Sequence, residues 1–261
     1  MGITTSTKIT KIEEALAFFG VTQTTLSSEE KRSLDEMGYI IYPNLLDKAW
    51  VDRLRETFER LVREEGARAG SEFNQENGAC RLADLVNKGE IFDGSYTHPK
   101  VLAAAYHVIG RAFKITSING RDALPGSGHQ ALHADWGPRN LIEPYHILNS
   151  VWLLDDMNAR NGATRLVPRT HLLAGRPADY LEDPAATHPD QILFEAPAGS
   201  VLVYNAHVWH GGTQNTNGQP RRVLHSAYIA REHPQQLDQR KFIRQSTYDR
   251  ISPAARYLVD V

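Results

Sequence analysis

The period of the hydrophobic positions changes near Arg111. Upstream of it, apolar residues recur at helical spacing. The stretch "LDKAWVDRLRETFERLVREEG" sets Trp50, Leu54, Phe58 and Leu61 on one face, which predicts a helix with a single buried stripe. "SSEEKRSLDEMG" opens with Ser27, carries Glu30 at the capping-box position and stops at Gly38, so it predicts a second helix. "KIEEALAFFG" reads as a short amphipathic helix, and "GYIIYP" as a brief strand. In "HPKVLAAAYHVIG", Pro99 near the start and Gly110 after the end frame another helix.

Downstream, short β-rich runs follow one another with turn residues between them. They are "FKITSING", "QALHAD", "YHILNSVWLLDD", "ATRLVP", "DQILFEAP", "GSVLVYNAHVWH" and "RRVLHSAYIAR". No long helical pattern interrupts them, which argues for a sandwich or barrel of jelly-roll type. The expected fold class is mainly β with flanking α-helices: a double-stranded β-helix (jelly-roll) barrel packed with N-terminal helices. No repeat, low-complexity tract or linker divides the chain. The expected organisation is one domain over residues 1–261, with a helical part at 1–110, the jelly-roll core at 111–231 and a C-terminal tail at 232–261.

Composition narrows the function classes. The chain has 261 residues, 41% of them hydrophobic and 23% charged, with a formal net charge of -2. Such a balance gives no basic surface for nucleic acid or an anionic membrane. The single cysteine, Cys80, excludes an internal disulfide framework and a thiolate zinc cluster, and nothing beside it suggests a nucleophile. "MGITTS" fits the loose myristoylation pattern through Gly2 and Ser6, but no polybasic second signal follows. With no signal peptide and no membrane-length apolar run, the expectation is a soluble cytoplasmic protein.

The candidate chemistry begins in "ALHADWGPRN". If "QALHAD" is extended, His133 and Asp135 project from the same face. Imidazole and carboxylate together suit a divalent metal such as Fe(II), and a second histidine would complete the facial triad of a non-haem iron oxygenase. Most of the other histidines read as ordinary structure. His98, His188 and His233 precede prolines and read as loop residues, His171 likewise, and His107 as a packed core histidine. His129 remains a minor rival ligand. In "GSVLVYNAHVWHGG", His207 and His210 would face opposite ways along a continuous strand. The more apolar face belongs to His210, which periodicity favours without removing His207. After the turn-rich "GGTQNTNGQP", Arg221 shares a face with Val223, Ala227 and Ile229, whereas Arg222 points to solvent or a surface acid. A buried arginine needs a partner, either a distant Asp or Glu of the chain or a bound small-molecule carboxylate, which fits its planar fork.

These segments, "LHADWG", "NGATRLVPRTH" and "HGGTQNTNGQPRR" in that order, resemble the phytanoyl-CoA dioxygenase family of Fe(II)/2-oxoglutarate-dependent oxygenases. The similarity runs from about Leu26 to Arg231 and includes the entry helices in "LDEMGYIIYPNLLDKAWVDRLRETFERL". The family spacing implies His210, with Asn215 and Arg221 after it, over His207 and Arg222. The resemblance implies that His133, Asp135 and His210 are the catalytic iron ligands. It implies that Arg221 binds the distal carboxylate of 2-oxoglutarate, with Thr164 assisting and Gln130 lining the cosubstrate pocket. Trp136, Arg139, Asn140 and Trp209 are candidates for the substrate mouth. The common "PGSH" stretch departs here to Pro168-Arg169-Thr170-His171, which questions that loop's conformation.

The implied cofactors are Fe(II), 2-oxoglutarate as cosubstrate and O2, and the implied partner is a small-molecule substrate. The implied reaction is hydroxylation of a C–H bond with release of succinate and CO2. Asp135 argues against halogenation, because related halogenases carry a small residue there. The same chemistry ending in desaturation, epimerisation or ring formation is the alternative. A non-catalytic ligand-binding barrel would have no need of three metal ligands and Arg221.

Overall fold

In the computed structural model, residues 8–261 are described; Gly2 and Ser6 of the myristoylation-like pattern lie outside them. The chain begins with helices α1 (Ile12–Phe18) and α2 (Ser28–Glu36), strand β1 (Tyr39–Tyr42) and the long helix α3 (Lys48–Glu65). The capping box at α2 is formed. Ser27 Oγ accepts from the Glu30 amide at 3.1 Å, and the Glu30 carboxylate accepts from the Ser27 amide at 2.6 Å. Helix α3 buries Val51, Leu54, Phe58 and Leu61. Trp50 is only half-buried, because its indole N–H turns to the Ile91 carbonyl at 2.9 Å.

Strand β2 (Ala79–Leu82), the short helix α4 (Gly94–Thr97) and helix α5 (Pro99–Ile109) follow. Gly110 ends α5 at φ +70°, a left-handed conformation that glycine adopts without strain. Then come β3 (Phe113–Ala123), β4 (Ile147–Leu153), β5 (Thr164–Val167), β6 (Ile192–Phe194), β7 (Val201–Asn205), β8 (Trp209–Gly212) and β9 (Arg222–Ala230). Helices α6 (Gln239–Phe242), α7 (Gln245–Arg250) and α8 (Pro253–Val259) close the chain.

The strands form two antiparallel sheets, ordered β1-β7-β4-β9-β3-β2 and β6-β5-β8. They lie as the two faces of a jelly roll and do not merge into one closed barrel. Both edges of the large sheet come from the helical part of the chain, since β1 pairs with β7 and β2 with β3. One core joins α3 and α5 to the outer face of this sheet through Leu54, Phe58, Leu102, Phe113, Trp152 and Tyr228. A second core, including Val151, Leu166, Phe194, Leu202 and Val223, fills part of the space between the sheets. The C-terminal segment packs back on this body. Asp260 pairs with Lys114 at 3.0 Å and Arg231 at 2.7 Å.

Several sequence expectations change. "QALHAD" is not a strand; its pairing reduces to a single bridge between His133 and His210. "GSVLVYNAHVWH" is not continuous, because a turn at residues 206–208 separates β7 of the large sheet from β8 of the small one. His107 is not a core residue: it is half-exposed and pairs with Asp35 at 2.8 Å. His171 is not an open loop residue but is buried at 1% exposure, with Nε2 3.1 Å from the Asp35 carbonyl.

The departure at Arg169 also resolves. Arg169 takes φ +70°, a conformation that costs an L-residue about 1–2 kcal/mol, and its amide donates to the Met37 carbonyl at 3.0 Å. Thr170 anchors the turn by donating to Val167 at 2.7 Å and accepting from the Trp209 amide at 2.8 Å. Among the described residues no helix is long and apolar enough to cross a membrane.

Leu54 is fully buried between α3 and the sheet. Leu54→Ala should lower unfolding stability by about 2–5 kcal/mol, read as a shift of the urea midpoint with an unchanged slope.

Candidate active site

The site is built on the contact between one loop and one strand. The amide of His133 donates to the carbonyl of His210 at 2.9 Å, and the His210 amide returns the bond to His133 at 2.9 Å. Directly paired residues project together, so the two imidazole rings lie 4.4 Å apart. Two residues on, the Asp135 amide donates to Ala206 at 2.9 Å, which turns its carboxylate toward both rings. Asp135 lies 3.6 Å from His133 Nε2 and 3.1 Å from His210 Nε2. The three ligand atoms fall within 4.8 Å of one another.

The backbone fixes the tautomers. His133 Nδ1 lies 2.9 Å from the Ala131 carbonyl, and His210 Nδ1 lies 2.9 Å from the Val208 carbonyl. A carbonyl only accepts, so each Nδ1 carries a hydrogen and each Nε2 faces Asp135. Once His210 gives up the proton that Asp135 stabilises, both Nε2 atoms are free to bind a metal. Burial works against ionised Asp135, yet His210 and then His133 hold its carboxyl well below the usual range. Burial likewise opposes a charged His210, but Asp135 raises its value above the ordinary one. His133 is lowered, first by burial and then by His210. Asn149 donates from Nδ2 to Asp135, and the Tyr204 ring packs 4.7 Å from that of His210.

These groups face a cavity of about 470 Å3 between the sheets. Arg221 lies in its wall at 2% exposure. Its Nε donates to Gly162 at 2.7 Å and its amide to Asp122 at 2.9 Å. Among the described residues no acid forms an ion pair with its guanidinium, and burial, then Arg121, push its value down to about 9. Arg222 faces the other way and is held by Asp155 at 2.8 and 2.7 Å and by Glu59.

Thr164 on β5 and Gln130 also line the cavity. Gln130 pairs with Gly212 in both directions, its amide donating at 2.9 Å and its Oε1 accepting at 3.0 Å. Trp136 lines the mouth, packed between His146 and His233 at ring distances of 5.0 and 4.9 Å.

Other sequence candidates stand elsewhere. Arg139 and Asn140 are spent inside their own loop: Arg139 donates to Glu143 at 2.7 Å and covers the Tyr145 ring at 4.4 Å, and Asn140 donates to Glu143 at 3.1 Å. Trp209 is buried against Leu132 and Val167, on the side of β8 away from the cavity. His207 is buried beside Tyr145, its value lowered to about 4 by burial and then Arg139. His129 is exposed and outside the ligand group.

The cavity also gathers residues the sequence reading passed over: Arg81, Arg121, Asn149, Tyr204 and His225. A signal existed for some. Arg121 shares strand parity with Ser117 and Asn119, a polar stripe, and Asn149 interrupts the apolar run of β4. Arg81 sits on a strand too short to have a period.

Comparison with known proteins agrees with this architecture. A dioxygenase from Aspergillus fumigatus, af480, is 28% identical over 222 residues, covering 79% of this chain and 68% of its own. The crystal structure of HygX from Streptomyces hygroscopicus, with nickel, 2-oxoglutarate and hygromycin B bound, superposes with a TM-score of 0.65 at 16% identity. It covers 80% of this chain and 90% of HygX. SnoK, a non-heme α-ketoglutarate-dependent carbocyclase from nogalamycin biosynthesis, superposes with a TM-score of 0.63 at 20% identity and covers 94% of both chains. The family model for phytanoyl-CoA dioxygenase (PhyH) matches residues 34–223, most of the chain, and on that match the protein belongs to the phytanoyl-CoA dioxygenase family.

Proposed function

We propose that this protein is an Fe(II)- and 2-oxoglutarate-dependent oxygenase that hydroxylates a C–H bond of a small molecule, and that its described residues work as one domain. The observation that carries the reading is the pair of imidazoles whose Nδ1 hydrogens are engaged by Ala131 and Val208, leaving both Nε2 atoms toward Asp135. Two imidazoles and a carboxylate suit iron and leave positions for a cosubstrate and dioxygen. Arg221, buried without an acid of its own, suits the distal carboxylate of 2-oxoglutarate. Iron and 2-oxoglutarate, when bound, supply the oxidising power that removes a hydrogen atom from carbon, with succinate and CO2 as coproducts.

The chain's own groups then have distinct tasks. His133, Asp135 and His210 hold the metal. The Ala131 and Val208 carbonyls fix the rings, and Asn149 fixes the carboxylate. Arg221 and Thr164 orient the cosubstrate, and Gln130 walls its pocket. Trp136, at the mouth, contacts the substrate. The fold of SnoK supports keeping ring formation as a second outcome of the same chemistry; product analysis separates it from hydroxylation.

Anaerobic addition of Fe(II) and 2-oxoglutarate to the apo-protein should give a weak visible charge-transfer band. His210→Ala should abolish the band and His207→Ala should keep it. The reverse pattern, or no band in the parent protein, sinks the reading. Arg221→Gln should retain iron but weaken 2-oxoglutarate binding by about tenfold or more, since it removes a charge-assisted fork.

Metal binding should also depend on pH. A metal must displace the proton that Asp135 stabilises on His210, whose value is raised. Affinity is full above that raised value and falls by about tenfold per pH unit below it, while the displaced proton is still bound. Co(II) titrations at several pH values measure the slope, and a pH-independent affinity would remove His210 from the ligand set.

A further inference from the structure

The cavity holds more positive charge than the proposed reaction uses. Arg81 on β2 and Arg121 on β3 are direct cross-strand partners, so both guanidinium groups stand on one face of the sheet. Like charges placed this way repel. One carboxylate intervenes: Glu76 receives both arms of Arg121 at 2.9 and 2.6 Å, and only Nη1 of Arg81 at 3.2 Å. Among the described residues no other acid pairs with either arginine. Arg221 brings a third cation to the same wall. Their combined field appears at His225, held well below its ordinary value by burial and then by Arg81, Arg121 and Arg221.

Charge bookkeeping shows what is missing. Asp135 and one carboxylate of 2-oxoglutarate balance Fe(II), and the other carboxylate balances Arg221. Glu76 balances one of its two arginines. One positive charge remains, on the less fully paired Arg81, whose side chain is only 14% exposed. Holding a half-paired guanidinium there is costly. A single carboxylate cancels the surplus and matches the fork, whereas a phosphate monoester, nearly doubly charged at neutral pH, overshoots it. The adjoining wall is polar as well. Thr116, Ser117, Asn119 and Gln236 line the same cavity, and an alkyl chain would strip them of water without replacing their hydrogen bonds.

We propose that the substrate is a small polar carboxylic acid and that Arg81 binds its carboxylate. This rests on reading the site as an iron and 2-oxoglutarate centre. Arg81 stands on the edge strand β2, across β3 and β9 from the β4 and β7 side where Asn149 and Tyr204 meet the iron ligands. The charged end of the substrate is therefore anchored away from the carbon that is oxidised.

The test uses the iron- and 2-oxoglutarate-loaded protein under anaerobic conditions. The probes are amino acids, hydroxy acids and simple carboxylic acids, each matched with its primary carboxamide. Binding is read as a shift of the visible band, and turnover afterwards as succinate release in air. Acids should shift the band at concentrations at least tenfold below their amides. Arg81→Gln should leave 2-oxoglutarate affinity within about twofold of the parent and remove the preference for acids, with Arg81→Lys restoring part of it. Glu76→Gln frees more positive charge, so it should tighten acid binding even where it lowers the melting temperature. Equal response to acids and amides, no response to any acid, or loss of 2-oxoglutarate binding in Arg81→Gln overturns the inference while the oxygenase reading stands. A parent protein that forms no band overturns both.

Discussion

The reciprocal backbone pair between His133 and His210 is the contact on which the site depends. Two hydrogen bonds of 2.9 Å join a loop to β8 and set the ligands side by side. Everything around this pair limits its freedom. Arg165 reaches from β5 to the Gln130 carbonyl at 2.7 Å, fixing the loop just before His133. The turn at residues 206–208 brings the Ala206 carbonyl to the Asp135 amide. A metal ligand set must be held within fractions of an ångström, and backbone hydrogen bonds, rather than side-chain packing alone, fix the candidate ligands here.

The second constraint is electrostatic and operates through selective pairing. Consecutive arginines meet opposite fates because strand parity sends them to opposite faces. Arg222 finds Asp155 and Glu59 on the outer side, while the Arg221 side chain enters the cavity and donates to the Gly162 carbonyl. Among the described residues the outer side gives Arg222 two carboxylates, while the guanidinium of Arg221 has none. The same contrast recurs at Arg81 and Arg121, which share the single acid Glu76.

Much of this was legible in the sequence because it is carried by local pattern. The helices announced themselves through period and caps: Ser27 with Glu30, and Pro99 with Gly110, stand where the structure ends each helix. The spacing of His133, Asp135, His210 and Arg221 pointed to one cluster, and those residues line one cavity. Strand parity favours His210 without removing His207, and on a premise the structure replaces, since β7 and β8 belong to different sheets. The family spacing is what singles out His210. His210 faces the cavity because β8 pairs with His133, a long-range contact that periodicity cannot contain. Arg139 and Trp209 could not be placed for a related reason. A loop arginine can turn inward on its own carbonyls, and a tryptophan at a strand end can take either face.

Arg81 marks where local reading stops and topology begins. Its strand is four residues long and lies at an edge of the large sheet, contributed by the mainly helical part of the chain. The residues proposed to hold iron, by contrast, come from β8 and the loop paired with it. The residues proposed to choose the substrate and those proposed to run the chemistry thus occupy different elements, joined only through the shared cavity. Substitutions in β2 can alter charge and shape at one wall without disturbing the His133–His210 pair. Such a separation accounts for how one scaffold hosts many substrates, because function resides in sites placed on the fold rather than in the fold itself. For this protein the consequence is specific. The candidate metal-binding group and the arginines of an edge strand and its neighbour line one cavity but stand on separate elements.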